Sequence, residues 1–231
     1  MPDINSHIKS YVIRKARMSE SQKKAYAEFA SDWLIPFSKK ELSWKEIFPF
    51  ECECRVNVIE IGFGMGDATL VSAKNNPEWC ILGVEVHKPG IGRLFRLINE
   101  NSIKNIRVIE HDAVDVLKYM IPENSTDLFN IWFPDPWPKK RHYKRRLIQI
   151  PFVHQLVKRL KPGGRIHIAT DWQPYAEHIQ NVFDSITGVI RINTDKMDLQ
   201  LIRPETKFEF RGKSEKRIIT DLIYEKEKIN D

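Results

Sequence analysis

Short apolar runs of strand length alternate with stretches of helical periodicity from residue 55 to the end of the chain. This alternation constrains the fold more than any other feature, because strands joined by helices pair in parallel and need helices on both faces of their sheet. It therefore predicts an α/β protein with a mainly parallel sheet. The predicted strands are residues 56–61, 81–86, 106–110, 128–133 and 165–170, with later candidates at 189–192 and 218–224.

Helices are predicted between these strands and in the N-terminal region, from apolar spacing and from capping signals. Ser19 and Gln22 match a capping box that opens a helix running to about Leu34. We divide the chain into an N-terminal cationic arm and helix, residues 1–54, and an α/β domain, residues 55–231. The other predicted helices are residues 41–47, 67–74, 89–98, 113–119, 151–160 and 174–183, and a turn is predicted at 161–164.

The stretch VIEIGFGMGD places Gly62, Gly64 and Gly66 directly after the first predicted strand. Glycines at a strand end allow a tight turn and a close approach of the backbone to a ligand. The spacing is G-x-G-x-G rather than the G-x-G-x-x-G of dinucleotide sites, and Glu60 would repel a pyrophosphate. A dehydrogenase is therefore disfavoured. A ligand with positive charge is favoured, such as S-adenosylmethionine with its amino and sulfonium groups.

Two further acids end the next two predicted strands. Glu85 lies about 20 residues beyond the glycines, where dinucleotide folds keep a carboxylate for the ribose hydroxyls. Asp112 is placed to accept a hydrogen bond from an adenine amino group. Each acid alone could be a solvated residue at a strand end. Three acids at three successive strand ends, together with the glycines, predict a site for an adenosine-type ligand.

The fourth predicted strand ends at Pro134-Asp135-Pro136-Trp137. Each proline fixes its own φ near −65° and lacks an N–H donor, so the backbone around Asp135 is stiff. A rigid backbone suits a side chain that must be held in a fixed position against a ligand. Asp135 is therefore the candidate catalytic acid, although a proline-rich turn without a function would have the same sequence.

The positive charge of the chain is concentrated in one block that follows Asp135. The block carries six cations and no acid, which equals the net charge of +6, so the rest of the chain sums to zero. Clustered cations are typical of proteins that bind a polyanion, although a solvated basic loop would show the same cluster. The cations are Lys139, Lys140, Arg141, Lys144, Arg145 and Arg146.

The sequence contains no run of 18 apolar residues and no apolar core of a signal peptide at its start, so we expect a cytoplasmic protein without a membrane span. We also expect no metal site, because Cys52 and Cys54 lack a second cysteine pair and a nearby histidine at zinc-finger spacing.

Five motifs are distributed over most of the chain: EIGFGMG at 60–66, GVEVHKPGIG at 83–92, FPDPWPKKRHYKRR at 133–146, ATDWQPYAEH at 169–178 and RPETKFEFRG at 203–212. Together they resemble bacterial tRNA (guanine-N7-)-methyltransferases. FPDPWPKKRH is highly specific, and residues 37–54 match poorly. The resemblance implies an α/β, Rossmann-like class I methyltransferase fold: a seven-stranded, mostly parallel sheet with helices on both faces and an antiparallel last strand.

The resemblance also implies transfer of a methyl group from S-adenosylmethionine to N7 of the guanosine at tRNA position 46, in the variable loop. The partner would be tRNA, the protein a monomer or homodimer, and Asp135 the acid of the catalytic loop. The cofactor would be bound by Glu60, Gly62, Gly64, Gly66, Glu85, Asp112 and Asp135. The guanosine would be contacted by Lys139, Asp171, Thr206, Lys207, Phe208 and Glu209, and the RNA by Arg141, His142, Tyr143, Lys144, Arg145 and Arg146.

Two other functions stay open on the sequence. A methyltransferase acting on an amino group of a DNA or RNA base uses an Asp-Pro-Pro-aromatic loop, which the order Pro-Asp-Pro-Trp fits less well. An RNA-binding protein could also retain the fold without activity, but the acids at positions 60, 85, 112 and 135 argue against it. Mapping the methylated atom distinguishes the first alternative, and titration with the cofactor distinguishes the second.

Overall fold

The computed structural model describes residues 8–12, 17–48, 55–194 and 203–228. Its strands are β1 Val56–Ile61, β2 Trp79–Glu85, β3 Ile106–Glu110, β4 Thr126–Trp132, β5 Leu160–Thr170, β6 Val189–Ile192 and β7 Thr220–Lys226. They form one seven-stranded sheet in the order β3-β2-β1-β4-β5-β7-β6. Neighbours among β1 to β5 are parallel, whereas β7 runs antiparallel to β5 and β6. The predicted fold class is confirmed.

Helices occupy the connections between strands, as the apolar spacing predicts. The Ser19 capping box is present: its side chain accepts from the Gln22 N–H, and the Gln22 side chain accepts from the Ser19 N–H. This exchange satisfies two of the N–H groups that would be unpaired at a helix start. The helices are α1 Glu20–Trp33, α2 Trp44–Ile47, α3 Asp67–Asn75, α4 Lys88–Glu100, α5 Ala113–Tyr119, α6 Ile150–Arg159, α7 Gln173–Asp184 and α8 Lys207–Ser214, with a 3₁₀ helix at Lys140–Arg145.

The predicted turn at 161–164 is wrong as a strand boundary. β5 continues through these residues, and its register with β4 shifts between Thr126 and Leu128. They form an irregular stretch of the strand, in which Gly163 has a φ of +77° that other residues rarely adopt. A glycine at positive φ serves a turn and an irregular strand equally well, so the sequence does not distinguish them. The other predicted strand limits differ from the observed limits by at most two residues.

Buried side chains on both faces of the sheet form the core. α4 shows how the sequence builds one layer, since Ile91, Leu94, Phe95 and Ile98 recur at helical spacing and all are 0% exposed. Burial of each such side chain contributes about 1.5–3 kcal/mol. α1 packs on α4, where the Trp33 ring centroid lies 5.8 Å from that of Phe95. The helix face predicted from periodicity therefore holds two layers together.

The N-terminal helix is joined to the α/β domain through the β3 edge of the sheet, where Leu34 forms a parallel bridge with Val108. The proposed boundary after residue 54 stays a prediction. Most of the arm, and also Cys52 and Cys54, lie outside the described residues. Within the described part of the chain, every helix is too short or too polar to cross a bilayer. Those same residues contain no group of three or more side chains suited to hold a metal ion.

Candidate cofactor and catalytic site

A cavity of about 350 Å³ opens at the carboxyl ends of β1 and β4. In open α/β sheets this edge binds ligands, at the point where the strand order reverses, and β1 and β4 meet at that point here. Two walls enclose it. The glycine wall consists of Glu60, Gly62, Phe63, Met65, Gly66, Asp67 and Ala68, and the α8 wall consists of Trp132, Phe133, Thr206, Lys207, Phe208 and Arg211.

The glycine wall has a backbone conformation that favours glycine. Gly62, Gly64 and Gly66 have φ values of +76°, +59° and +79°, in the left-handed region where a β-carbon causes strain. Arg93 of α4 braces the turn, because it donates to the Met65 carbonyl at 2.8 Å and to Asp67 Oδ1 at 2.6 Å. The loop is therefore held open by hydrogen bonds from a neighbouring helix.

Glu85 fixes the glycine wall to the neighbouring strand. Its Oε2 accepts from the Gly64 N–H at 2.8 Å, and its Oε1 accepts from the Val86 and His87 N–H groups at 2.7 and 2.9 Å. An ionised carboxylate has about four acceptor positions, so one remains for a ligand. The predicted contact of Glu85 with a ribose stays a prediction, and the structure adds a second role as a brace.

Glu60 is the buried acid of the cavity. Glu60 is the second-last residue of β1 and is 3% exposed. Its Oε2 has no hydrogen-bond partner among the described residues. Burial raises the pKa of the Glu60 carboxyl to about 8; Glu85 acts in the same direction and Thr69 opposes it. Native structures rarely leave a buried polar atom unpaired without a reason. An unpaired carboxyl oxygen in a cavity wall fits a ligand that brings a cation or a donor.

Asp112 caps α5, since its Oδ1 accepts from the Val114 N–H at 3.0 Å. Tyr11 of the arm lies next to this acid: burial, and then the charge and hydrogen bond of Asp112, raise the pKa of Tyr11 to about 12. The Ser10 carbonyl accepts from Trp137 Nε1 at 2.9 Å. The described part of the arm therefore runs from the Asp112 carboxylate to the loop that carries the candidate catalytic acid.

Residues 133–137, the Asp135 loop, follow β4 and expose the Asp135 side chain. Phe133 and Trp137, at its two ends, have φ values of +53° and +44°. Such left-handed conformations cost about 1–3 kcal/mol each in non-glycine residues and persist only where the surroundings enforce them. The Phe133 N–H donates to the Ala169 carbonyl at 2.7 Å. Backbone strain thus adds to the stiffness that the two prolines predict.

One contact holds the α8 wall together and one joins it to the glycine wall. Within the α8 wall, the Phe208 ring stacks on Phe133 with a centroid distance of 6.1 Å. Between the walls, Lys207 Nζ lies 3.6 Å from Asp67 Oδ2. Thr206 is the N-cap of α8, and its hydroxyl accepts a backbone N–H of the first turn at 3.1 Å. The structure therefore brings three of the predicted guanosine contacts, Thr206, Lys207 and Phe208, to the cavity.

A buried arginine joins α8 to the sheet. Arg203 is 4% exposed and donates to both oxygens of Asp221 in β7, at 2.7 and 3.0 Å, and to Glu209 of α8. His167 is hydrogen-bonded to the same Asp221 at 2.7 Å. Burial would raise the pKa of both acids, but the hydrogen bonds of His167 and Arg203 lower the pKa of Asp221 to about 2, and those of Arg203 and Lys213 lower the pKa of Glu209. Glu209 is thus paired with Arg203 and Lys213, and its predicted contact with the guanosine stays a prediction.

The remaining predicted contacts lie outside the cavity walls. Asp171 is paired with Arg217 at 2.5 Å, and Lys139 is exposed at the start of the 3₁₀ helix. Arg141 and Lys144 are also exposed. Their positions beside the Asp135 loop are compatible with the predicted RNA contacts, which stay predictions.

Arg146 differs from the rest of the cation block because it is only 3% exposed. The block as a whole was predicted to contact RNA, which stays a prediction, and burial sets Arg146 apart from its exposed members. Sequence analysis also missed Arg93 and Arg203. Arg93 directly follows the motif at 83–92, and Arg203 is the first residue of the motif at 203–212. Nothing in a linear pattern shows which arginine of a motif turns inward.

The cavity fits S-adenosylmethionine by the chemistry of its residues. Glu60 offers a buried, unpaired carboxyl oxygen for a cation. Glu85 and Asp112 do not line the cavity, but they lie at the carboxyl ends of β2 and β3, and their predicted contacts with hydroxyl and amino groups stay predictions. The glycines expose backbone without side chains in the way, because a β-carbon at Gly62 or Gly64 would meet nothing within 4 Å.

Comparison with known proteins identifies the family. A family model described as "Putative methyltransferase" matches residues 54–222. The chain is 43% identical to a tRNA (guanine-N(7)-)-methyltransferase of Burkholderia thailandensis, over 96% of this chain and 82% of that protein. It is 42% identical to one from Neisseria meningitidis serogroup C, over 95% and 91%.

Solved structures agree on the fold. The 16S rRNA methyltransferase KamB superposes with a TM-score of 0.56 at 12% identity, over 81% of this chain and 95% of that one. At this low identity, the similarity supports the fold and nothing more. With the family match and the curated relatives, the conclusion is direct: the chain belongs to the tRNA (guanine-N7-)-methyltransferase family and is a class I methyltransferase with S-adenosylmethionine as its methyl donor.

Proposed function

We propose that this protein methylates N7 of the guanosine at position 46, in the variable loop of tRNA. The observation that carries the proposal is one juxtaposition: a cavity with a buried, unpaired acid opens beside a strained loop that presents Asp135, and exposed cations follow that loop directly. The names of its relatives specify tRNA and guanine N7 for those proteins. The same cavity and loop support that chemistry here, and with tRNA as the substrate the proposal includes activity in the cytoplasm.

The reaction requires that the methyl donor and guanine N7 be positioned, and it does not require removal of a proton. S-adenosylmethionine, when bound, supplies a methyl group on a positively charged sulfur. Guanine N7 carries an in-plane lone pair and no hydrogen, so no side chain has to act as a base before transfer. Holding two reactants in a productive geometry supplies on the order of 7–11 kcal/mol of the barrier. The two cavity walls and the Asp135 loop therefore act by fixing positions.

Asp135 is the side chain to which we assign the catalytic role. Methylation of N7 leaves positive charge on the purine, and a carboxylate near the ring stabilises that charge as it develops. Asp135 is exposed on a loop held by two prolines and two strained residues, so its position is set before the base arrives. It accepts hydrogen bonds from the base or from the cofactor amine, while Glu60 holds the cofactor cation.

The surface beside the cavity fits an unstacked base on an RNA. N7 faces the deep major groove of A-form RNA, which side chains reach poorly, so the base has to leave its stack. Phe208 is 56% exposed at the cavity wall and offers a ring face on which a purine can stack. The cations Arg141 and Lys144 lie next to the Asp135 loop, where they can contact the phosphates on either side.

Incubation with labelled S-adenosylmethionine and total tRNA, followed by nucleoside mass spectrometry, tests the proposal. We expect 7-methylguanosine, and no product from a transcript in which adenosine replaces guanosine 46. Asp135→Asn should lower the single-turnover rate with cofactor bound, whereas Asp184→Asn, an exposed acid at the end of α7, should not. Methylation of an amino group, or of the position-46 variant, would refute the assignment.

A further inference from the structure

Arg146 is the last residue of the cation block in the sequence, but its side chain does not lie on the surface with the exposed members of the block. It follows the 3₁₀ helix Lys140–Arg145, and its N–H bonds to the Tyr143 carbonyl at 3.0 Å. This turn directs its side chain inward, so Arg146 is 3% exposed while Lys144, two residues earlier, is exposed. A buried guanidinium makes its contacts within the protein, and here those contacts can be named.

The guanidinium of Arg146 is tied to the Asp135 loop by a hydrogen bond. Its Nε donates to the carbonyl of Pro136 at 3.0 Å. Pro136 is the residue that follows Asp135, so this bond fixes the peptide on one side of the acid. A proline has no N–H of its own, and its carbonyl is therefore the main-chain group through which the loop can be held at that residue.

Two tyrosines hold the guanidinium in place. Its centre lies 3.7 Å from the Tyr143 ring centroid and 5.0 Å from that of Tyr175. Tyr175 is 0% exposed in α7 and its hydroxyl accepts from the Ile148 N–H at 3.3 Å. A planar guanidinium stacks on aromatic faces in a way that an ammonium does not. A continuous path of contacts thus runs from α7 through Arg146 to Pro136.

One of the two remaining nitrogen atoms of the Arg146 guanidinium also points inward. Nη2 is buried and has no hydrogen-bond partner among the described residues. Unlike the unpaired oxygen of Glu60, this donor does not belong to a residue that lines the cavity, so a ligand of the cavity does not account for it. The exposed cations of the block are the ones that a phosphate reaches first.

We propose that Arg146 is a positioning residue that holds the Asp135 loop for the transfer step, and that it is not an RNA contact. The inference rests on the proposed function, because it concerns the loop to which that function assigns the catalytic acid. The cation block is then divided between two roles. Its exposed members attract phosphate, whereas its buried member sets the geometry of the acid.

The test compares Arg146→Gln and Arg146→Lys with Lys144→Gln. For each protein, the logarithm of tRNA affinity is measured against the logarithm of salt concentration, and the single-turnover rate is measured for both Arg146 variants at saturating tRNA and cofactor. Loss of one phosphate contact lowers the slope by about 0.7–0.9, which we expect for Lys144→Gln. For Arg146→Gln we expect the wild-type slope and a rate lower by on the order of 100-fold, because a small displacement of a catalytic group has that cost.

Arg146→Lys is the variant that decides if the glutamine variant does not fold. Lysine keeps the charge, so a phosphate contact would survive with slope and rate unchanged. It cannot stack flat on Tyr143 while donating to Pro136, so the proposal expects a reduced rate. A wild-type rate for Arg146→Lys, or a lowered salt slope for Arg146→Gln, would overturn it. If the wild-type protein does not methylate tRNA, the proposed function fails, and the slopes still decide whether Arg146 contacts RNA.

Discussion

The two walls of the cavity hold it open by different means. The glycine wall is one continuous segment at the end of β1, and its shape comes from three left-handed glycines and from main-chain hydrogen bonds to Glu85 and Arg93. The α8 wall is assembled from separate parts of the chain, and buried ion pairs centred on Arg203 join them.

The difference shows where each wall is vulnerable. Main-chain hydrogen bonds in the glycine wall are numerous, and each contributes a modest free energy. Arg203, in contrast, neutralises two buried carboxylates at once, and a buried carboxylate left without its partner is costly. One substitution should therefore loosen the α8 wall, whereas the glycine wall should fail only where a side chain collides with its backbone.

The largest effect should come from Arg203→Met. Asp221 and Glu209 would lose their shared buried cation and keep only His167 and Lys213 as partners, so we expect the free energy of unfolding to fall by up to about 3–5 kcal/mol. Urea denaturation measures it. Lys158→Met is the matched control, because Lys158 pairs with Glu123 on the surface, where such pairs contribute about 0–1 kcal/mol. Equal losses for the two variants would remove the distinction between the walls.

The second effect concerns proton release from the glycine wall. Burial raises the pKa of Glu60 from its ordinary 4.5 to about 8, so near pH 6 the acid is protonated in the free protein. The ammonium group of S-adenosylhomocysteine, placed against Glu60, favours the ionised carboxylate, and binding should then expel a proton. We expect S-adenosylhomocysteine affinity to rise by up to about tenfold per pH unit between pH 6 and 8, and to level off above pH 8.

Calorimetry in two buffers of different ionisation enthalpy measures the released proton. Glu60→Gln is the control, because it removes this proton while keeping the ligand's own titration.

The stability of the free protein should depend on pH in the opposite direction from ligand affinity. Because the folded pKa lies above the unfolded one, the stability of the free protein should decline as pH rises from about 4.5 through 8. A pH-independent difference between wild type and Glu60→Gln would contradict the assignment of Glu60.

The walls also differ in how far the sequence could predict them. Glu60 and its glycines are consecutive, they follow an apolar run, and their position at a strand end follows from the parallel sheet, which is confirmed. The network of Arg203 depends on residues 6 and 18 positions away meeting across a helix and a strand. No local periodicity encodes such a meeting, so nothing in the sequence indicated that Arg203 is the buried partner of Glu209.

The same limit applies to single side chains within a motif. Arg146 belongs to a run of cations, and only the 3₁₀ turn before it determines that it points inward. Glu85 was predicted from its distance to the glycines, and the structure adds that backbone N–H groups already bind both of its oxygens. Sequence spacing thus located the functional edge of the sheet, and it left the direction of the side chains undetermined.

A third prediction tests the glycine wall through helix α4. A β-carbon at Gly90 would lie 1.8 Å from the Gly64 carbonyl oxygen, whereas one at Gly92 would lie 2.5 Å from the Gln22 carbonyl of α1. Both alanine variants are overpacked against backbone, which costs about 1–3 kcal/mol. Only Gly90→Ala should also weaken S-adenosylhomocysteine binding, because only it displaces the glycine loop. Equal affinities in titrations of the two variants would show that the loop can yield without losing the site.

The smallest effect should come from Thr206, and it separates two roles of the α8 wall. Its hydroxyl caps α8, and loss of such a cap costs about 1 kcal/mol, so Thr206→Ala should lower the unfolding free energy by that amount. Asparagine caps a helix as well as threonine does, and Thr206→Asn should restore stability. If methylation by Thr206→Asn is also restored, Thr206 acts by keeping Lys207 and Phe208 at the cavity. If stability returns while activity does not, the hydroxyl itself contacts the substrate, and the α8 wall then reads the base directly instead of only enclosing it.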